Sequence, residues 1–251
     1  MIFSFYVYIV FVREKIISVF PRKVFNPPMR VYCVKELSLD EYFSSYLPKL
    51  TEDESYLIYL IARDREVKEK MGIKIDKILF RIKSKEPLKA VEILKAIRDG
   101  VEFEVKGIKL RREWIKIMHV LNPINVSKAS KLTALKFFEQ CEKKPDIEKV
   151  FHSALAKSID FKIFMIDIDS KSREIIEGLN GIKARLVMTT KRGFHIHVWK
   201  EDLQNPSILF KLKGVEVKTR DAIEYVPSID QGGFVPKAYL IDTVDEIVNL
   251  M

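Results

Sequence analysis

The chain has 251 residues, 47% of them hydrophobic, enough to bury one sizeable core or a main module with a smaller lobe. Lys and Arg number 44 against 35 Asp and Glu, a formal charge of +9 that favours a polyanionic partner, with a solvated surface of mixed sign as the alternative. Cys33 and Cys141 stand far apart without a C-x-x-C, which excludes a disulfide framework and a cysteine-based zinc module and points to a reducing, cytoplasmic compartment.

Ile2 to Val12 is an apolar run of about eleven residues, short of the roughly 20 that span a bilayer, so a strand or an interfacial segment is expected and no membrane partner. Residues 1–28 read as an apolar extension, with Met29 after Asn26-Pro27-Pro28 as an alternative start. Ser38 or Asp40 caps a short helix through Leu50 that gathers Tyr42, Phe43, Tyr46 and Leu47 on one face. Thr51-Glu-Asp-Glu54 has capping-box spacing and predicts a helix to about Met71, stopped by Gly72, with Tyr56, Leu57, Leu60 and Ile61 as its apolar face. Arg63, Arg65, Lys68 and Lys70 then either offset the helix dipole or line a nucleic-acid channel. Ile78–Ile82 reads as a strand, Pro87–Arg98 as a helix closed by Gly100, Val101–Leu110 as an alternating strand, and Trp114–Leu121 as another ending at Asn122-Pro123. Helices follow over Ser127–Gln140 and Pro145–Ala156. Residues 29–158 thus form an amino-terminal mixed α/β lobe.

Residues 159–251 carry the chemistry. Lys162–Ile168 is dense in bulky apolar residues and predicts a strand, with Ser170 placed to cap a helix after it. Arg173–Gly178 reads as helix, Arg185–Thr190 and Phe194–Trp199 as strands joined at Arg192-Gly193, Asn205–Leu212 as helix, Val215–Thr219 as strand, and Asp245–Met251 as a terminal helix. The order βαββαβ is that of a ferredoxin-like or RNA-recognition-type unit, an antiparallel sheet with helices on one face. Its first and third strands are central neighbours, so Asp167 and Asp169 lie beside His195 and His197, and the fourth strand puts Glu216 and Lys218 on one face. Neighbouring carboxylates repel, and a divalent cation between them makes the arrangement favourable; a helix cap plus one solvated Asp is the plainer reading. His195 as a core histidine and Gly193 as a hairpin glycine are the corresponding plain readings.

Ile166-Asp167-Ile168-Asp169, Thr189-Thr190-Lys191-Arg192-Gly193-Phe194-His195 and Val215-Glu216-Val217-Lys218 together resemble the archaeo-eukaryotic primase superfamily, especially its primase-polymerase members from plasmids and viruses. That family carries an h-D-h-D/E strand, an S-G-x-x-G-x-H turn and a third acid in an h-D-h-R/K strand. Ile223-Glu-Tyr225-Val-Pro227-Ser228-Ile-Asp-Gln-Gly232-Gly233 resembles its G-Y-h-h-P-P-S segment, and Asn122-Pro123 with Lys128-Ala129 its N-P-R-x-x-x-K-A loop. The resemblance spans residues 115 to 235. Thr stands where the family has Ser-Gly, Ile124 where it has Arg, and Glu216 where it has Asp.

The resemblance implies a two-lobed α+β primase-polymerase core that adds nucleotides from NTP or dNTP on a single-stranded DNA template, with a helicase or accessory subunit as a further partner. Asp167, Asp169 and Glu216 are then the ligands of two Mg²⁺ or Mn²⁺ ions, about 3.5–4 Å apart in such sites. Thr190, Lys191, Arg192, Gly193, His195 and Lys218 bind the nucleotide, with His195 also in the catalytic set. Two alternatives stand beside this. His195-Ile196-His197 also marks rolling-circle nucleases and relaxases, although neither Tyr225 nor Tyr239 offers their helical Tyr-x-x-x-Lys nucleophile. A βαββαβ sheet also serves as a non-catalytic single-strand nucleic-acid binder.

Overall fold

A computed structural model describes residues 34–64, 75–139, 146–179, 181–220 and 222–250. The Ile2–Val12 run, Met29, Cys33, Arg65, Lys68, Lys70, the Gly72 stop and Cys141 lie outside these residues. The first described element is β1 (Lys35–Leu37), after which Ser38 caps α1 (Leu39–Glu41) through a complete capping box. The helix continues as a π-helical turn over Tyr42–Tyr46 and buries Tyr42, Phe43, Tyr46 and Leu47, as their spacing predicts.

The helix expected from Thr51 is instead a strand, β2 (Glu54–Asp64). Glu54 to Ala62 is buried throughout except for the partly exposed Tyr59, so the segment has no polar face to turn to water as a helix. The capping-box residues close a turn into this strand: the Glu54 carboxylate accepts from Thr51 N at 2.9 Å, and Glu54 N donates to the Thr51 carbonyl. β3 (Ile75–Ser84) and α2 (Pro87–Gly100) follow. The single strand expected over Val101–Leu110 is a hairpin of β4 (Glu104–Val105) and β5 (Ile108–Lys109). Its turn residues, Lys106 (φ 54°) and Gly107 (φ 76°), both adopt the left-handed conformation that a tight two-residue hairpin requires. β6 (Ile115–Val120), β7 (Ile124–Asn125), α3 (Val126–Glu139) and α4 (Ile147–Lys157) complete the first half.

The second half contains β8 (Ile163–Ile168), α5 (Arg173–Glu177), β9 (Leu186–Thr189), β10 (Phe194–Trp199), β11 (Glu216–Lys218), β12 (Ile223–Tyr225) and β13 (Ala238–Leu240). Ser172 rather than Ser170 precedes α5, and the Ser170 hydroxyl accepts from Ser172 N at 3.0 Å. The segments expected as helices over Asn205–Leu212 and at the carboxyl end are 3-10 turns, Pro206–Lys211 and Val244–Leu250.

The architecture is α+β. One sheet runs β12-β6-β2-β3, with β7 also paired to β2; the other runs β1-β13-β9-β10-β8-β11. Within the latter, β11-β8-β10-β9 are antiparallel neighbours, the order that the βαββαβ pattern predicts. Period-two alternation divides its residues between two cores. Phe164, Ile166, Ile168, Phe194 and Ile196 pack under Ile176, Leu209 and Ile247. Ile163, Met165, Leu186 and Met188 face the other way and join Ile58, Leu60, Ile117 and Tyr42 in a core shared with the first sheet. The ends of the chain interleave: β1 belongs to the second sheet, and β12 returns to the first. Val34–Met251 accordingly form one compact unit. Among the described residues no helix is long and apolar enough to cross a membrane.

Candidate functional site

Asp167 sits on the central strand of three and has a register partner on each side, His195 on β10 and Glu216 on β11. Directly opposed residues share a face, so the three side chains project together while Ile166 and Ile168 anchor the strand in the core behind. Lys218, two residues after Glu216, is on the same face. Its ammonium hydrogen-bonds to Asp167 Oδ2 and lies 3.7 Å from Glu216 Oε2. His195 Nε2 lies 3.3 Å from Asp167 Oδ1.

Behind His195 is a carboxylate that the sequence reading does not assign. Glu224, on β12 of the other sheet, is fully buried. It accepts from His195 Nδ1 at 2.8 Å and from Tyr225 N at 2.6 Å through one oxygen, and from His197 Nε2 at 2.9 Å through the other. His197 Nδ1 is 3.1 Å from the Tyr46 hydroxyl. The chain of contacts therefore runs Lys218–Asp167–His195–Glu224–His197–Tyr46, from the site into the shared core.

The electrostatics follow from this order. Burial opposes the charge on Glu224, but the two imidazoles outweigh it and hold its carboxyl well below the usual carboxylate range. Burial likewise opposes an imidazolium at position 195; Glu224 and Asp167 prevail and raise His195 to about 9. Desolvation also works against Asp167, yet His195 and Lys218 lower it to about 2. For His197 burial wins and pushes its imidazole down, so it is neutral, donating from Nε2 to Glu224 and accepting from Tyr46 at Nδ1. His195 is thus a fixed cation with Nε2–H directed at Asp167.

The remaining expected residues lie around this centre. Asp169, one residue past the end of β8, is exposed, as is Glu216. Lys191 and Arg192 are on the turn between β9 and β10. Thr190 is spent on closing that turn: its hydroxyl accepts from Gly193 N at 2.9 Å, and its N–H donates to the Gly193 carbonyl at 3.0 Å. Gly193 is required by space. A Cβ there would meet the Ile168 carbonyl at 1.9 Å and Ser170 N at 2.8 Å, so only glycine seats the turn against the end of β8, on either side of Asp169.

The Asn-Pro loop positions β8. Asn122 is fully buried; its Oδ1 accepts from Lys162 N (2.9 Å) and Ile163 N (2.8 Å), and its Nδ2 donates to the Ile163 carbonyl (2.9 Å). Ala129 packs under the first sheet, and Lys128 N is capped by Asn125. The segment after Tyr225 is also tied down, with the Gln231 amide bridging Ile117 N and O at 2.9 Å each.

Among the described residues, no three of His, Cys, Asp and Glu are grouped to hold a metal ion as they stand. Asp167 and Glu216 supply hard oxygen donors, of the type a divalent cation takes, from neighbouring strands, and in this structure the Lys218 ammonium places the positive charge between them. The two histidines are differently placed. All four of their ring nitrogens are engaged, and His197 is fully buried, so the pair is not presented to grip one ion as in the His-hydrophobe-His nucleases. Comparison of the chain with protein-family models, with curated proteins and with solved structures returns no match.

Proposed function

We propose that this chain is a DNA-dependent primase or polymerase, adding nucleotides from NTP or dNTP to a strand on a single-stranded template, in a primase-polymerase core whose two lobes are the two sheets. The observation that carries the reading is the register of Asp167 between His195 and Glu216, with Lys218 bridging the two acids. Two acids, a lysine and a buried histidine meet on that sheet face, and such a cluster of coupled charges with a shifted carboxylate is the kind of arrangement that handles charged substrates.

Asp167 and Glu216, with Asp169 beyond the strand end, would hold Mg²⁺ or Mn²⁺. Such ions, when bound, activate the attacking hydroxyl and neutralise the leaving pyrophosphate. The chain's own contribution is positional and electrostatic. Lys218, which neutralises Asp167 and lies beside Glu216, would be free to donate to the triphosphate when those acids hold an ion instead. His195, kept charged by Glu224 and stacked by Tyr225, holds its Nε2–H against Asp167 and would pass it to a phosphate oxygen once that carboxylate is taken by an ion. Lys191 and Arg192, seated by Gly193 at the end of β8, supply further donors to the phosphates.

The test is incorporation of labelled nucleotide on a single-stranded template with Mg²⁺ or Mn²⁺, with and without primer. Asp167→Asn is expected to abolish product while retaining template binding, and Lys191→Ala to weaken nucleotide affinity. Equal activity of Asp167→Asn and wild type refutes the assignment. Strand nicking with a covalent tyrosine adduct would instead support the nuclease.

A further inference from the structure

A concave feature lies on the outer face of the first sheet, away from the core that the two sheets share. It is an open cleft of about 100 Å³ between the sheet and α4, with Leu57, Ile124, Leu155 and Ile159 as apolar walls and Tyr59, Arg81 and His152 as its polar lining. His152 Nε2 is 3.3 Å from Glu148 Oε1, whereas Nδ1 is buried and has no hydrogen-bond partner among the described residues. With the ring proton on Nε2 towards Glu148, Nδ1 is an acceptor, and buried polar atoms rarely go without a partner.

The cleft and the site are joined by a row of paired residues. Arg81, Tyr59, Met118 and Tyr225 are successive register partners across β3, β2, β6 and β12, so they form one row on one face. At the end of the row the Tyr225 ring lies parallel to His195, 11° between planes and 5.9 Å between centroids. Tyr59 and Tyr225 are two strand spacings apart, about 10 Å, a span of about three stacked nucleotides. At the other end Arg81 and Lys83 are exposed on edge strand β3, with Lys83 opposite Leu57 and therefore on the same face.

We infer that this cleft receives one unstacked base of a single-stranded nucleic acid, with Arg81 and Lys83 on the adjoining phosphates and Tyr59 and Tyr225 guiding the strand towards Asp167. It deepens the template-directed reading above and rests on it. Apolar walls suit the base faces, an unpartnered acceptor suits a ring N–H or exocyclic amine, and cations at the rim suit the backbone. A purely apolar ligand would leave His152 Nδ1 unsatisfied and give the rim cations nothing to bind.

The test is fluorescence anisotropy of the full chain with a labelled oligothymidylate and with an abasic oligomer of equal length. Wild type is expected to bind the base-bearing probe about tenfold more tightly. Leu155→Trp, which fills the cleft, and Tyr59→Leu, which keeps the strand apolar should the first variant fold poorly, are both expected to lose that preference. Arg81→Ala is expected to weaken both probes about threefold. Equal affinity of wild type for the two probes overturns the inference, and so does a preference that survives in the folded cleft variants. The two readings fail separately: incorporation lost in Asp167→Asn alongside a surviving preference removes the cleft alone, whereas cleft-dependent binding without any incorporation by wild type removes the polymerase alone.

Discussion

Replacing Glu224 by Gln removes a charge from the centre of the protein while preserving its shape. The amide oxygen still accepts from His195 Nδ1 and Tyr225 N, and the amide nitrogen faces His197, which changes tautomer and donates from Nδ1 to the Tyr46 hydroxyl. What is lost is the field that holds the His195 proton. With His195 raised from 6.5 to about 9, its proton stabilises the folded state fully below pH 6.5 and progressively less as pH rises through 9. The contribution is about 2.5 kcal/mol at pH 7 and nearly nil at pH 10. Urea unfolding in a chelator, so that no ion perturbs Asp167, should show wild type losing about that much between the two pH values. Glu224→Gln should be less stable at pH 7 by about 1–2 kcal/mol and, with Asp167 alone left to hold the proton, should lose clearly less than wild type across the same interval. A variant as stable as wild type at pH 7, or one with the wild-type slope, would show that Glu224 and His195 do not form the charged pair described.

Asn122→Ala strips the acceptor from two backbone N–H groups at the start of β8; a loss of about 2–3 kcal/mol in unfolding free energy is expected, with incorporation reduced because Asp167 is displaced. Gly193→Ala fails on space, its Cβ meeting the Ile168 carbonyl at 1.9 Å; about 1–3 kcal/mol of destabilisation should accompany weaker nucleotide binding by titration calorimetry. His119 is buried and neutral, held down to about 4 by burial, with Nδ1 on the Val120 carbonyl and Nε2 on the Tyr42 hydroxyl. The unfolded chain takes up this proton first, so stability should fall by about 3 kcal/mol from pH 7 to pH 4, a loss that His119→Gln should remove from the acid limb of the denaturation profile.

The second sheet was largely legible because its signals are local. Lys162–Ile168 and Phe194–Trp199 have strand-like composition, Arg192-Gly193 marks the turn, and the βαββαβ order alone places β8 beside β10 and β11. Period-two alternation then brings Asp167, His195 and Glu216 to one face. The first sheet was less legible. Glu54-Ser55-Tyr56-Leu57 opens with capping-box chemistry, and an apolar run buried on both faces shows neither a helical nor a strand period. Lys106-Gly107 lies inside an alternating run that has the period of one strand, and the left-handed turn there makes it a hairpin. Glu224 belongs to an element whose partner strand is remote in sequence, and nothing local marks it as the counter-charge of His195. Its signal was indirect: two histidines on one strand face, Lys218 already engaged by acids, and an isolated Glu between Ile223 and Tyr225 in an apolar strand.

The interleaved ends of the chain set a schedule for its synthesis. Among the described residues Lys35–Leu37 pairs with Ala238–Leu240 alone, and the first sheet waits for β12, which follows all of β8 to β11. At about 5–20 residues per second the ribosome takes some tens of seconds to deliver the missing strands. Within that interval β6 keeps one backbone edge unpaired for the roughly 100 residues until β12 emerges, and β9 for the roughly 50 until β13, each beside apolar side chains. Such a nascent chain is a natural client for chaperones that shield strand edges, and its yield should depend more on their supply than on the stability of the finished fold.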